Sequence, residues 1–334
     1  MIDSTIKEFH LFAGIGGGIY GGELLGHECC GGVENNEFCQ KLLKQRQADG
    51  WMNQFEVYGD LRELDGKEFR GTFDVLCGGF PCQAFSTAAH GLNIAEKNLW
   101  PEMFRFVQES DAPVVFGENV VLKAIAKARA DLELVGYRVY HCRLGCSDLG
   151  ADHVRTRMWL LVVKDESVFH KVKTHVLSLP KFGGAYWGNK PDDLGIPSKV
   201  LSKKDQLKGV GNAQSPFVAA TAFRVLVNRH IERGKYTELV SDKELDKVFV
   251  KRKTWIASEF GEDFGYVHTP TTMANYSCPY MLKHHQCCRT FTKVFTQPTP
   301  QNAEYLMGFP MGASSPAAQP KANFDLWSKI AKEE

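Results

Sequence analysis

The sequence predicts an α/β protein built on a doubly wound sheet, with a second, smaller and irregular domain. Three observations predict this fold class. Apolar, strand-like runs alternate with helical stretches over residues 1–163. Short links marked by glycine join these elements. The alternation stops after Lys164, where segments rich in Gly, Pro and aromatic residues begin.

The elements follow from the periodicity of the apolar residues. Strands are predicted at 8–12, 28–34, 55–58, 73–77, 114–117, 137–143 and 158–163. Helices are predicted at 18–25, 37–44, 99–109, 122–135 and 216–231. Since no helix separates the last two strands, we expect them to form an antiparallel hairpin.

The same pattern divides the chain. We expect a catalytic and ligand-binding domain at 1–180 and an irregular loop at 181–205. A helical segment at 206–231 would pack back on the first domain, because its apolar face has no other partner. Residues 235–312 would form a recognition region, and 313–334 a tail.

Composition bounds the class of protein. The 334 residues are 43% hydrophobic and 24% charged, which is typical of a globular protein and excludes wholesale disorder. The start of the chain lacks the pattern of a signal peptide, no apolar run is long enough to span a membrane, and ten cysteines show no disulfide framework. We therefore expect a soluble protein of the reducing cytoplasm.

Charge is distributed unevenly along a chain whose net charge is +1. Residues 1–163 carry a net charge of −6 and residues 164–260 a net charge of +7. A basic middle segment is compatible with a surface that faces nucleic acid, and equally with a solvated lysine-rich face. Charge alone does not decide between them.

A glycine-rich turn follows the first predicted strand in FHLFAGIGGGIYGGELLG. Gly14, Gly16 and Gly17 would let the backbone turn tightly and approach a ligand at a helix N-terminus. Glu34 ends the second predicted strand and Asp60 follows the third. Carboxylates at these strand ends accept hydrogen bonds from nucleotide hydroxyl groups in α/β folds, so we predict an adenosine-containing ligand.

A cysteine and a carboxylate follow the next two strands. Cys82 lies in the loop LCGGFPCQAFS, and Glu118 ends the apolar run VVFG. A thiolate stabilised by nearby cations is a nucleophile, whereas a lone cysteine is more often a small buried apolar residue. Arg155 and Arg157, two residues apart in DHVRTRMW, could fix phosphate or base oxygens and lower the pKa of a thiol.

Six of these segments carry a resemblance to a known family. FAGIGG, VENNEF, GDL, GFPCQAFS, GENV and HVRTR, in this order and at these intervals, resemble the motifs of the C5-cytosine DNA methyltransferases. QLKGVGNAQSPFVAATAF is similar to the GNA motif of that family, and PTPQNAEYLMGFPMG is similar to its GFP motif.

The resemblance implies a Rossmann-like, S-adenosylmethionine-dependent methyltransferase sheet. The implied activity transfers a methyl group from S-adenosyl-L-methionine to C5 of a flipped-out cytosine in double-stranded DNA. The implied catalytic residues are Cys82 as nucleophile, Glu118 on the base, and Arg155 and Arg157 as orienting groups. The implied cofactor-binding residues are Phe12, Gly14, Gly16, Gly17, Glu34, Asp60, Leu99 and Asn212. Pro81, Gln83, Ser86 and Asn119 would shape the substrate loop. We also expect a monomer, and a biological role either in restriction-modification or in the protection of foreign DNA.

The chain departs from the family pattern at three places. Asp152 and His153 replace the usual Pro-Gln, which places a carboxylate near the thiolate. In EKNLW, Leu99 matches the family's Arg-x-x-Leu but the arginine is missing. The GNA motif precedes the GFP motif and the variable region lies between them, so we expect a rearranged C-terminal half.

No metal is expected. Cys278, His284, His285, Cys287 and Cys288 cluster in the sequence, but adjacent Cys-Cys and His-His pairs do not match the spacing of a zinc site. Three other functions stay open: the same reaction on a tRNA cytosine, a catalytically idle DNA-binding module, and a nicotinamide dehydrogenase. A dehydrogenase would use the glycine turn but not the Pro-Cys-Gln and Glu-Asn-Val pair.

Overall fold

A seven-stranded sheet organises the chain in the computed structural model, which describes residues 5–81, 98–149, 151, 153–179, 187, 203–231, 267–268 and 300–332. Its strands are β1 Lys7–Leu11, β2 Glu28–Val33, β3 Glu56–Tyr58, β4 Val75–Gly79, β5 Val114–Asn119, β6 Arg138–Leu144 and β8 Arg157–Val163. A separate short pair joins β7 His153–Val154 to β9 Val267–His268 in parallel.

The strand order confirms the doubly wound α/β class. Across the sheet it runs β3-β2-β1-β4-β5-β8-β6. The pairs among β1 to β5 are parallel, while β8 is antiparallel to both β5 and β6. The hairpin predicted from the missing helix is therefore present, with β8 inserted between β5 and β6.

The helices bounding the sheet are α1 Gly17–Leu24, α2 Glu37–Ala48, α3 Trp100–Glu109, α4 Leu122–Leu134, α5 Glu166–Ser178, α6 Lys203–Asn212, α7 Pro216–Ile231, α8 Pro300–Met307 and α9 Lys321–Lys332. Side-chain caps fix two of their starts: Asn36 accepts from the Cys39 amide, and Asp165 accepts from the Ser167 and Val168 amides. In the part of the chain the structure describes, no helix is both long and apolar enough to cross a membrane.

Two apolar cores cover the two faces of the sheet. One contains side chains of α1, α2, α5, α7, α8 and α9, and the other contains side chains of α3 and α4. The alternation of β1 illustrates the division, because Phe9 and Leu11 enter the second core while Glu8 and His10 face α1. Strands buried on both faces leave their ends as the exposed edge at which a ligand can bind.

The C-terminal segment differs from the expected recognition region and tail. Ala303, Tyr305, Met307 and Phe309 are buried in the core that contains α1, and so is Trp327 of α9. Trp327 contacts the Tyr20 ring at 5.7 Å between ring centroids. Residues 300–332 are therefore part of the first domain. Their apolar side chains fill one face of its sheet.

Polar contacts tie this segment to α2. The buried Arg46 guanidinium donates to the carbonyl oxygens of Gly312, Ser315 and Ala317 at 3.2, 2.9 and 2.6 Å. Glu304, 1% exposed, accepts from the amides of Gly312 and Ser314 at 2.7 Å each, and from the Ser314 hydroxyl. We call Arg46, Glu304 and residues 312–317 the C-terminal clamp.

Candidate active site

A cavity of about 580 Å³ opens at the carboxyl ends of the parallel strands. Of the residues singled out in the sequence, those that line it are Phe12, Gly14, Glu34, Asp60, Pro81, Leu99, Glu118, Asn119 and Asn212. Its size is that of a typical small-molecule site. Side chains from five strand ends and from α6 therefore meet in one space.

The glycine turn between β1 and α1 is closed by Glu34. The Gly14 amide donates to Glu34 Oε2 at 2.7 Å, and the Asn36 amide donates to Oε1 at 2.8 Å. Gly14 and Gly16 have φ of 55° and 89°, in the region that favours glycine. Phe12 adopts φ of 56° without being glycine, and such backbone strain clusters at functional sites.

The two acidic residues predicted to bind the ligand differ in their surroundings. Burial raises the pKa of Glu34, although three backbone amides counteract it. Asp60 follows β3, where a hydrogen bond from the Arg62 guanidinium lowers its pKa and its Oδ1 accepts from the Arg62 amide at 3.0 Å. Both carboxylates line the cavity.

Glu118 lies at the end of β5, beside Gly79 of β4. Its Oε1 is 3.0 Å from Arg157 Nε, and the two side chains are 12% and 18% exposed. A Cβ added at Gly79 would lie 2.8 Å from Glu118 Oε2. The absence of a side chain at Gly79 therefore gives this carboxyl group its place at the cavity wall.

Hydrogen bonds fix the base of the cysteine loop. Asn119 Nδ2 donates to the Phe80 carbonyl at 2.9 Å, and the Leu99 amide donates to the Pro81 carbonyl at 3.2 Å. The buried Asn119 thus positions the backbone just before the cysteine loop. Cys82, Gln83 and Ser86 lie outside the described residues, as does Asp152.

The two arginines of the hairpin have different partners. Arg157 meets Glu118, whereas Arg155 is buried and its Nη2 donates to the carbonyls of Gly211 and Ala213 at 3.0 and 2.8 Å. Burial, with Arg157 nearby, lowers the pKa of Arg155 to about 9. Burial and Arg155 likewise lower the pKa of His153 to about 3, so His153 is neutral. Four of the predicted site residues that the structure describes do not line the cavity: Gly16, Gly17, Arg155 and Arg157.

The family comparison matches most of the chain. The description C-5 cytosine-specific DNA methylase fits residues 6–274, which include the cavity and the hairpin. The chain belongs to the C-5 cytosine-specific DNA methylase family.

Individual relatives agree with this membership. Type II methyltransferase M.MspI of Moraxella sp. is 28% identical over 180 residues, which is 49% of this chain and 40% of that protein. M.CviJI of Paramecium bursaria Chlorella virus IL3A is 25% identical over 70% of this chain and 63% of its own length. M.HhaI of Haemophilus parahaemolyticus is 28% identical over 48% of this chain and 50% of its own length. The chain thus spans about half the length of the curated relatives it matches.

Solved structures with similarity to this chain include two methyltransferases. One is a putative DNA modification methyltransferase encoded within an E. coli prophage, at TM-score 0.40 and 22% identity, covering 61% of this chain and 54% of that one. The other is Entamoeba histolytica methyltransferase EhMeth, at TM-score 0.39 and 16% identity, covering 61% and 67%.

Several residues of the cavity were missed by sequence reasoning. Asp205, Lys208 and Gly209 of α6 line it, because α6 crosses the mouth of the glycine turn. The helical segment predicted at 206–231 includes most of α6, but Asn212 was the one residue of α6 expected to bind the ligand. Gln214, directly after that motif, approaches both the glycine turn and Glu118.

One group of potential metal ligands exists among the described residues of the chain. Glu8, His10 and Cys77 bring their ligand atoms within 4.8 Å of one another in the interior. The Glu8 carboxylate already makes hydrogen-bonded contacts with His10 at 2.9 Å and His27 at 2.6 Å. Hydrogen bonds of ordinary length thus account for this cluster. The cysteines and histidines of 278–288 lie outside the described residues.

Proposed function

We propose that this chain is a DNA (cytosine-5-)-methyltransferase that uses S-adenosyl-L-methionine. One observation supports this most: a single cavity joins the Glu34 and Asp60 edge to Glu118 at the foot of the cysteine loop. Methyl transfer requires the donor and the base to share one enclosed space, so that the reacting atoms are held together. Membership of the family supports the same reaction.

The residues present fit S-adenosyl-L-methionine. The Glu34 carboxylate lies at the cavity wall, where it would accept hydrogen bonds from ribose hydroxyls. Asp60 would face the adenine amine, and Phe12, Phe38 and Leu61 offer apolar surface for the ring. Gly14, Leu99 and Asn212 would close the pocket around the ligand. When bound, this cofactor supplies an electrophilic sulfonium methyl group.

Cys82 would act as the nucleophile. C5 of cytosine is a weakly nucleophilic aromatic carbon, and addition of the Cys82 thiolate to C6 turns the ring into an enamine that is nucleophilic at C5. After C5 is methylated, loss of its proton breaks the S–C6 bond and releases both the thiolate and 5-methylcytosine. The covalent intermediate divides one difficult step into easier ones.

Glu118 would hold the base and Arg157 would orient it. A protonated Glu118 carboxyl would donate to N3 and accept from the exocyclic amine, and protonation at N3 promotes thiolate addition at C6. Arg157, 3.0 Å from Glu118, has a partly exposed guanidinium that would bind the base carbonyl or a phosphate. Arg155 would act indirectly, by holding the GNA segment in place, because its Nη2 already donates to two carbonyls of that segment. Gln83 and Ser86 would shape the loop over the base.

Double-stranded DNA is the proposed partner of a monomeric enzyme. The target cytosine must leave the helix to reach the cavity, which requires phosphate contacts and a flipped base. The net charge of +7 over residues 164–260 supports such contacts. Of the recognition region expected at 235–312, we keep residues 235–299 as the proposed region of target recognition, because residues 300–312 pack in the first domain. The names of the relatives favour a restriction-modification role.

Bisulfite sequencing of DNA from cells that express the chain tests this function. We expect protected cytosines at one short recurrent sequence, and no protection when Cys82→Ser is expressed. Unprotected DNA, together with labelled methyl groups in tRNA, would favour the RNA reaction. Binding of DNA without transfer to either nucleic acid would indicate an idle binding module.

A further inference from the structure

Gln214 lies where three separate motifs meet. It follows the GNA segment, and its half-buried side chain lies between the start of α1 and the end of β4. The glycines nearest to it are Gly17 and Gly18 of the glycine turn, and Gly79 ahead of the cysteine loop. One glutamine thus contacts the cofactor turn, the catalytic strand end and its own motif.

The three glycines make room for this glutamine. A Cβ at Gly17 would overlap the Gln214 carbonyl oxygen. A Cβ at Gly18 would lie 2.7 Å from Gln214 Oε1, and one at Gly79 would lie 3.0 Å from Gln214 Nε2. None of these glycines has a positive φ, so the backbone does not demand glycine there. Instead, the close approach of Gln214 leaves no room for a side chain at these positions.

The two ends of the amide face different groups. Near Gly18, the oxygen end is on the side of His10, whose Nδ1 lies 3.2 Å from the same Cβ position. His10 is held in turn by Glu8, at 2.9 Å from its Nε2. At Gly79, the nitrogen end and Glu118 Oε2 converge on one point, at 3.0 and 2.8 Å from it. An amide NH₂ is a donor and a carboxyl oxygen is an acceptor, so the two groups that approach this point are complementary.

The backbone on either side keeps Gln214 in place. Arg155 Nη2 donates to Ala213, the preceding residue, at 2.8 Å. Ser215 and Pro216, which follow, are buried at the start of α7. Meanwhile Arg157 Nε faces the other oxygen of Glu118 at 3.0 Å. The carboxyl group therefore lies between a guanidinium and an amide.

We propose that Gln214 is a positioning residue for the catalytic carboxyl of Glu118. Its amide directs Oε2 toward the base while Arg157 directs Oε1, and the His10 side of the pocket fixes which way the amide points. This inference rests on the proposed function, because the carboxyl it positions is the one that holds cytosine. A small displacement of a catalytic group from its productive position is enough to slow a reaction strongly.

Gln214→Met tests the proposal, because methionine keeps the length of the side chain and removes the amide. We expect kcat for methyl transfer to fall between about 10- and 100-fold, with the Kd for S-adenosyl-L-methionine unchanged within about twofold. The rate of adduct formation with 5-fluorocytosine DNA should fall in parallel. The matched control is Gln108→Met, whose side chain is exposed on α3 and should change neither quantity.

Gln214→Glu supplies a readout that a purely structural role would not move. A second carboxylate beside Glu118 disfavours ionisation of the pair, so Glu118 should keep its proton to higher pH and the alkaline limb of the kcat profile should move to higher pH. Wild-type kcat and an unshifted profile in both variants would overturn the proposal, as would loss of cofactor binding together with kcat in a folded Gln214→Met protein. A wild-type chain that transfers no methyl group to cytosine would instead overturn the proposed function itself, and the proposal for Gln214 with it.

Discussion

Acidic residues occupy two different regions of this molecule, the cavity edge and the sealed interior. Glu34, Asp60 and Glu118 line the cavity. Glu8 and Glu304 lie inside, 3% and 1% exposed. Protein cations or hydrogen-bond donors contact the carboxylates in both regions, but only the cavity acids also face a space in which a ligand fits.

The interior acids have their oxygens engaged by protein donors. Both oxygens of Glu304 accept within the C-terminal clamp, and both oxygens of Glu8 meet a histidine. A buried carboxylate without such partners would cost several kcal/mol. At the cavity edge, Glu118 has a guanidinium at one oxygen and the cavity within reach of the other. The comparison teaches that a place at the cavity wall, more than burial, marks the acids that we propose to act on ligands. It predicts that changes at the cavity edge reduce activity, and that changes in the interior reduce stability.

Glu118→Gln should give the largest effect. The glutamine keeps the shape of the side chain but cannot donate a proton to the base, so kcat should fall by about 10²- to 10⁴-fold. Single-turnover transfer of labelled methyl groups to DNA measures this. Glu133→Gln, exposed on α4, is the control. An active Glu118→Gln enzyme would remove Glu118 from the reacting groups.

Arg46→Met tests the interior side of the comparison. It leaves three carbonyl oxygens and Asp49 without their buried cation, so the free energy of unfolding should fall by about 3–5 kcal/mol. Urea denaturation measures the change. Arg129→Met, from an exposed pair with Glu133, should cost less than about 1 kcal/mol. The folded Arg46→Met protein should still bind the cofactor. A variant that keeps its stability but loses cofactor binding would contradict the distinction between the interior and the cavity edge.

Glu8→Gln should change how stability depends on pH. Burial alone would raise the pKa of Glu8, but His27 and His10 outweigh it and lower the pKa from 4.5 to about 2. Because the folded pKa is depressed, this stabilisation is complete above pH 4.5 and is lost as the pH falls toward 2. The variant should therefore be less stable at pH 6 by about 3 kcal/mol, and the difference from wild type should shrink in acid. Urea titrations between pH 6 and 2.5 test this, and a difference independent of pH would refute it.

Glu34→Ala should give the smallest of the four effects. Loss of a charge-assisted hydrogen bond to ribose should weaken binding of S-adenosyl-L-methionine by about 1–3 kcal/mol. Glu34→Gln, which keeps one acceptor oxygen, should weaken it less. Calorimetry measures both, with binding of NAD as the comparison. Unchanged affinity in the alanine variant would place the ribose elsewhere.

Much of this fold could be predicted from the sequence because the parallel strands are buried on both faces. Their apolar runs stand out, and the ends of such strands share one edge, which brought Glu34, Asp60 and Glu118 to one cavity as expected. Helix α5 was missed, although its signal was present: Asp165 caps it, and Phe169, Val172 and Val176 lie on one buried face.

Other features depend on partners that are remote in the chain. Trp327 is buried because Tyr20 and Phe217 lie beside it, and neither is near it in sequence. The partners of Arg46 are about 270 residues away. Gln214 acquires its surroundings only when three glycines from two distant motifs close around it. Contacts between residues remote in the chain leave no local pattern in the sequence. This is why the buried C-terminal segment was expected to be a tail, and why Gln214 was missed.

Covalent trapping tests the central claim most directly. DNA carrying 5-fluorocytosine at the target position is incubated with the full chain and S-adenosyl-L-methionine, and the adduct is mapped by peptide mass spectrometry. Fluorine at C5 blocks the elimination that would release the enzyme, so we predict a stable adduct on Cys82 alone among the ten cysteines. Cys82→Ser should form none while it binds the cofactor normally. An equally abundant adduct in the serine variant, or one on another cysteine, would contradict the account.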